Sequence, residues 1–152
     1  MRYVDMKGIA LLCVTYLAMV VSGEAMQLIT PQEAALPADE MPGLTFRGSP
    51  TRRPLVTMIT PAQNAGVVKS PLSVKIRFQA FGGAKINAES VVVTYMRRPG
   101  VNLTQRLAPY IRPDGIEVPD AEVPAGTHQF RIELKDGNGH SGGGIFSIEV
   151  AN

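Results

Sequence analysis

The sequence contains no tryptophan, two histidines and a single cysteine among its 152 residues. That cysteine, Cys13, lies in an N-terminal apolar run that we predict is removed, so the mature chain has no disulfide and no thiolate chemistry. Charged residues amount to only 18%, with a formal net charge of +2. Lysine and arginine are scattered among acids, which argues against nucleic acid as a partner.

Motifs that carry catalysis are also missing. The sequence has no GxSxG, HExxH or phosphate-loop pattern. A hydrolase would have to pair His128 or His140 with a serine and an aspartate, and the spacing proposes no such set. We therefore predict a protein that is not an enzyme and uses no cofactor, and a small secreted hydrolase is the last of the alternatives.

The N-terminus has the layout of a secretory signal peptide. Arg2 and Lys7 precede an apolar run over residues 9–21, and small residues follow at positions suited to cleavage before residue 26. The run of 13 residues is shorter than the roughly 20 that a spanning helix needs. We predict that residues 1–25 are a signal peptide, with an uncleaved N-terminal anchor as the alternative. The protein is expected in the periplasm, the cell envelope or the extracellular space, with membrane contact only through this segment.

Residues 26–54 differ in composition from the rest of the chain. Prolines recur at positions 31, 37, 42, 50 and 54, and the apolar residues are isolated. Such a stretch buries too little apolar surface to offset its ordering entropy. We predict a flexible Pro-rich linker here, with at most one helical turn over residues 31–36.

From Leu55 to Asn152 the sequence alternates between apolar and polar residues in short runs. About seven such runs, 8 to 12 residues apart, predict an all-β antiparallel sandwich. The inward positions form four sets: Leu72, Val74, Ile76 and Phe78; Val91, Val93 and Tyr95; His128, Phe130, Ile132 and Leu134; Phe146, Ile148 and Val150.

Two stretches of this region are irregular, and a third joins the last two strands. Residues 102–111 fit either a short helical turn that ends at Pro109 or an irregular edge strand. Pro119 places the run over residues 116–123 at a sheet edge. Between the last two strands, DGNGH predicts a turn in which Asp136 accepts backbone N–H bonds and residues 137–139 adopt left-handed conformations.

The region from Leu55 to Val150 resembles bacterial immunoglobulin-like domains of exported proteins. The resemblance rests on ITPAQNAGVVKSPLSVKIRF at its start and VPAGTHQFRIELKDGNGHSGGGIFSIEV at its end. It implies an immunoglobulin-like sandwich, with His128 replacing the family's tyrosine and making the same strand-corner hydrogen bond. A weaker resemblance, to CopC-like periplasmic copper carriers, implies Asp136 and His140 as metal ligands, although no histidine precedes His128.

The remaining prediction concerns a partner surface. Val92, Met96 and Ile145 point away from the core if the alternation holds, and they would flank Arg131 on the middle strand. Apolar side chains on an exposed sheet face can mark a protein interface. The sequence thus predicts an exported, monomeric, non-catalytic module that binds another envelope protein, with a copper carrier of CopC-like type as the alternative.

Overall fold

The computed structural model describes residues 25–39 and 53–151 of the chain. The predicted signal peptide lies outside the described residues except for Ala25, and so does most of the second half of the predicted linker. Within the described residues, the structure has no helix of the length and apolarity that a membrane crossing requires.

The residues that the structure describes form two five-stranded sheets. The first sheet has the order β1-β8-β4-β2, with β7 paired to β8, and the second has the order β3-β10-β9-β5-β6. The strands are β1 (Met26–Gln27), β2 (Leu55–Thr60), β3 (Val67–Val68), β4 (Leu72–Gln79), β5 (Ile86–Tyr95), β6 (Val101–Asn102), β7 (Ile111–Arg112), β8 (Gly115–Glu122), β9 (Gly126–Asp136) and β10 (Ser141–Val150). The β1–β8 and β3–β10 pairs are parallel, and the other pairs are antiparallel.

The core lies between the two sheets and confirms the predicted alternation. All four inward sets named from the sequence are buried, and the positions between them are mostly exposed. Tyr95 and His128, the polar members of the sets, are 0% and 1% exposed. The result is the predicted all-β sandwich, but the described residues form ten strands where about seven were predicted, and its sheets are mixed and not purely antiparallel because two short strands pair in parallel.

The prediction of a flexible linker is wrong for residues 26–39. Strand β1 pairs with β8, and the next two residues, Leu28 and Ile29, are buried in the core. A short helix, α1 (Pro31–Ala34), follows with a complete capping box between Thr30 and Glu33. The segment is ordered because its isolated apolar residues enter the core of the sandwich, so it does not need a core of its own.

The irregular stretch at residues 102–111 is helical. It forms α2 (Thr104–Leu107) and then a 3-10 turn (Ala108–Tyr110), and Leu103 and Leu107 are buried. The side-chain oxygen of Asn102 accepts the N–H of Thr104 at 2.8 Å. The four-residue apolar spacing thus predicts the middle of this stretch correctly, and the edge-strand alternative holds only at its two ends, Asn102 in β6 and Ile111 in β7.

Pro119 does not place its strand at a sheet edge. Strand β8 lies between β4 on one side and β1 and β7 on the other. Between the pairs Val74–Val118 and Leu72–Ala121, β8 has one residue more than β4, which forms a bulge at Pro119 and Asp120. A bulge leaves residues out of the ladder, so the missing N–H of proline costs no sheet hydrogen bond there.

Candidate functional site

The predicted partner surface lies on the outer face of the second sheet, across β5, β9 and β10. Arg131 pairs with Thr94 on one side and with Ile145 on the other, so the three side chains form one row. In the next row Glu133 pairs with Val92 and with Gly143. Val92 is 38% exposed, and Ile145 and Arg131 are half-buried. We call Val92, Thr94, Arg131, Glu133 and Ile145 the β5–β9–β10 face.

Met96 does not belong to this face, and its prediction as an exposed contact residue is wrong. It follows the last residue of β5 and is only 6% exposed. Its carbonyl accepts the N–H of Asp39 at 3.3 Å, and the carbonyl of Pro37 accepts the N–H of Arg98 at 2.9 Å. The chain thus leaves regular strand geometry where residues 37–39 run beside it, and the alternation of faces does not extend to Met96.

A groove of about 270 Å³ lies beside Val92. Its lining combines Val92 and Leu134 with the polar residues Arg53, Ser90, Glu133, Lys135 and Ser141. In the row of Val92 and Glu133, β10 contributes no side chain because position 143 is glycine. A Cβ there would lie 2.2 Å from the carbonyl oxygen of Ile132, so no larger residue fits. The face therefore has two charged side chains on its middle strand, Arg131 and Glu133, with Val92 on β5 and Ile145 on β10, and a depression beside Val92.

The DGNGH stretch is a hairpin turn between β9 and β10, as predicted. Asp136 Oδ1 accepts the N–H groups of Asn138 and His140, both at 2.9 Å, and the Asp136 N–H donates to the His140 carbonyl at 3.0 Å. Gly139 has a φ of 84°, the left-handed conformation expected there. Gly137 does not share that conformation, so this part of the prediction is wrong.

Asp136 and His140 also meet through their side chains. His140 Nδ1 donates to Asp136 Oδ2 at 3.0 Å, with the imidazole 49% exposed and the carboxylate 1% exposed. Burial by itself raises the pKa of Asp136, but the bonds from His140 and from the Asn138 N–H outweigh it and hold this pKa below its usual value. The pair has the geometry of a carboxylate that orients an imidazole, which leaves Nε2 as the nitrogen for a ligand.

The described residues do not extend this pair into a metal centre. In the ranges 25–39 and 53–151, no three or more His, Cys, Asp or Glu side chains are grouped so that they could hold a metal ion. A single imidazole nitrogen and one carboxylate are fewer ligands than a copper or zinc site uses. The pair fits a bound metal only if further ligands come from elsewhere.

His128 belongs to a buried hydrogen-bonded chain at the start of β9. Its Nε2 donates to the Pro124 carbonyl at 2.7 Å, so its Nδ1 accepts the Tyr95 hydroxyl proton at 2.8 Å. The same Tyr95 oxygen accepts Arg97 Nε at 2.7 Å, and the Arg97 guanidinium carbon lies 4.9 Å from the centroid of the Tyr95 ring. The bond from His128 Nε2 to the Pro124 carbonyl is the strand-corner hydrogen bond predicted for His128.

The surroundings of His128 favour its neutral form. Burial lowers the pKa of His128 and the positive charge of Arg97 lowers it further, against the opposing effect of the bond to Pro124. Burial likewise raises the pKa of Tyr95. Both rings are almost fully buried, so this network supports the fold and offers no surface to a substrate. Sequence reasoning predicted that His128 and Tyr95 face inward and that His128 makes a strand-corner hydrogen bond, but it missed the bond between these two side chains and the part of Arg97, which carried no periodic signal.

Comparison of the chain with protein-family models, curated proteins and solved structures gives no match in any of the three. The geometry described above is therefore the basis for assigning a function.

Proposed function

We propose that this protein is an exported, non-catalytic immunoglobulin-like module that binds another envelope protein through the β5–β9–β10 face. The observation that carries the proposal is the exposure of Val92 beside a groove with charged walls. Exposed apolar side chains on a sheet face can mark a protein interface, and the charged side chains beside them can select the partner. Nothing of this kind surrounds His128, whose ring is enclosed.

The connections between the strands support the immunoglobulin-like assignment. Strand β2 pairs with β4 in the first sheet, and the next strand, β3, pairs in parallel with β10 in the second. Of the long strands, β4 and β8 lie in the first sheet, and β5, β9 and β10 lie in the second. Immunoglobulin domains divide their strands between two sheets in a comparable way. The export part of the proposal rests on the N-terminal sequence alone.

Introducing charge on this face is expected to remove partner binding. With the double variant Val92→Lys and Ile145→Lys, we expect recovery of the partner to fall at least about tenfold, because two lysines in an apolar contact cost well over 1.4 kcal/mol. The measurement is quantitative mass spectrometry of proteins retained from envelope extract by the immobilised chain. The matched control is Val67→Lys, because Val67 is 55% exposed on β3 and outside the face.

Photocrosslinking separates a specific partner from background. A photoreactive amino acid at position 92 is expected to give one discrete adduct in the envelope, and the same amino acid at position 67 none. Unchanged thermal unfolding of the variants shows that they are folded. Equal retention by the wild type, the double variant and the control contradicts the proposed surface.

Copper carriage is the second candidate, because His140 is oriented by Asp136 and presents Nε2 at the protein surface. This candidate predicts a stoichiometric heat of Cu(II) binding in titration calorimetry that His140→Ala abolishes and that Asp136→Asn weakens by about 10- to 100-fold. Because His128 is buried and hydrogen bonded at both nitrogens, it should not contribute. A titration with no heat above that of the buffer removes this candidate.

A further inference from the structure

A second pocket lies on the opposite side of the sandwich, on the outer face of the first sheet. It has a volume of about 380 Å³ where the β7–β8 hairpin meets β4. Arg77 pairs with Gly115, and Gly115 pairs with Arg112. Directly paired residues project from the same face of a sheet, so two arginines flank a position that has no side chain.

The glycine between the arginines is required by the packing of the strands. A Cβ at Gly115 would lie 2.0 Å from the carbonyl oxygen of Ile76, and backbone atoms cannot yield to that contact. The close approach of β4 and β8 therefore excludes every other residue at this position. One result is a position without a side chain between Arg77 and Arg112 in this row of paired residues.

The charges around the pocket favour an anion. Lys75 forms an ion pair with Glu117 at 3.3 Å, which satisfies that carboxylate. In the part of the chain that the structure describes, neither Arg77 nor Arg112 forms an ion pair or a side-chain hydrogen bond. Asp114 is the remaining acid in the lining, so the pocket has an excess of one positive charge.

We propose that this pocket binds the phosphate group of a small phosphate ester. The Arg77 and Arg112 backbones lie two strand spacings apart, about 9.5 Å, so their side chains approach a ligand over Gly115 from opposite sides. A phosphate has oxygens in several directions and accepts both guanidinium forks at once, whereas a carboxylate presents two oxygens in one plane. The volume accommodates the phosphate together with a small organic group.

A titration followed by NMR tests this proposal residue by residue. The isotope-labelled protein, as purified, is titrated with sodium phosphate and with glycerol 3-phosphate at constant ionic strength. We expect saturable shifts of the Gly115 amide and of the Arg77 and Arg112 side-chain signals, with a dissociation constant roughly in the millimolar range. Arg77→Gln and Arg112→Gln should each weaken binding about tenfold, because each removes a charged hydrogen-bonding fork.

Two further variants make the test specific. Asp114→Asn should tighten binding about threefold or more, because it removes the one unpaired carboxylate of the lining. Arg53→Gln is the matched control, since Arg53 is an exposed arginine on the opposite side of the sandwich, and it should leave the affinity unchanged. Absence of saturable shifts at Gly115 overturns the proposal, and so does equal weakening by Arg53→Gln and Arg77→Gln.

The source of the phosphate is distinguished with vesicles. A lipid headgroup is identified if the protein sediments with phosphatidylglycerol vesicles but not with phosphatidylcholine vesicles. In that case Arg77→Gln and Arg112→Gln should each abolish the sedimentation. Saturable shifts with glycerol 3-phosphate and no sedimentation with either vesicle identify a soluble ester. The pocket lies on the sheet opposite to the β5–β9–β10 face, so the two proposals fail or succeed independently.

Discussion

Replacing Ile29 with alanine is expected to lower the free energy of unfolding by about 2–5 kcal/mol. Ile29 is 1% exposed and packs in the core, although it belongs to a segment whose composition predicts a linker. Removing three buried carbon atoms loses their transfer free energy and leaves a cavity between the sheets. The measurement is urea-induced unfolding followed by circular dichroism.

The matched control is Ile59→Ala. Ile59 is also an isoleucine in the same domain, but it is 41% exposed on β2. Its truncation should change the free energy of unfolding by less than about 1 kcal/mol. If Ile29→Ala and Ile59→Ala have equally small effects, residues 26–39 do not contribute to the core in solution.

Replacing Glu33 with glutamine is expected to cost about 1–2 kcal/mol of stability at pH 7 and almost nothing once the pH is below about 2. The Glu33 carboxylate accepts hydrogen bonds from both terminal nitrogens of Arg106, at 2.8 and 2.7 Å. It also accepts one from the Thr30 N–H at 2.9 Å. Arg106 in turn donates to the Leu28 carbonyl at 3.1 Å. This network, which we call the Glu33–Arg106 clamp, fastens the N-terminal segment to α2.

The pH dependence follows from the pKa of Glu33. The bonds from Arg106 are the main reason that this pKa falls from 4.5 to about 2. Between these two values the unfolded chain binds more protons than the folded chain, so stability falls as the pH falls. The contribution of the Glu33–Arg106 clamp to the free energy of unfolding is therefore complete above about pH 4.5. It is lost as the pH falls through about 2.

Unfolding of the wild type and of Glu33→Gln by urea, at steps from pH 7 to about pH 1.5, below the folded-state pKa of Glu33, measures this difference. The two curves should converge at the acidic end. Glu117→Gln is the control, because Glu117 pairs with Lys75 at the surface with its side chain 63% exposed. An exposed pair of this kind contributes less than about 0.5 kcal/mol. A constant difference between wild type and Glu33→Gln at every pH contradicts the role of the carboxylate charge.

The main strands and their inner faces were predictable because each depends on a period of two within one run of residues. The sets around Ile76, Val93, Ile132 and Ile148 are all buried for that reason. The helical turn at Leu103 and Leu107 was visible as a four-residue spacing. These are local signals, and no knowledge of distant contacts was needed to recognise them.

The errors occur where a distant segment decides the outcome. Met96 is buried where residues 37–39 run beside residues 96–98, and a periodic pattern carries no information about that contact. The segment at Leu28 and Ile29 is ordered by a core to which the rest of the chain contributes. One local signal does indicate the start of helix α1: Thr30-Pro31-Gln32-Glu33 is a capping box with proline at the first helical position.

The candidate sites divide in the same way. The contact between Asp136 and His140 was predictable because both lie in one short turn. The pocket between Arg77 and Arg112 was not, because it depends on which of three strands are neighbours and on their register. Gly115 gave no sequence signal, since a glycine after Pro113 and Asp114 is also what an ordinary turn would contain.

The parallel strand at Met26 changes how far the sandwich can be from a membrane. A linker over residues 26–54 would allow a separation of up to about 100 Å. With β1 starting at Met26, a chain that retained residues 1–25 in the bilayer would hold the sandwich directly at the headgroups. If the signal peptide is cleaved before that strand, as the sequence predicts, the whole sandwich would be released to diffuse, so processing would decide between a surface-bound and a freely diffusing form.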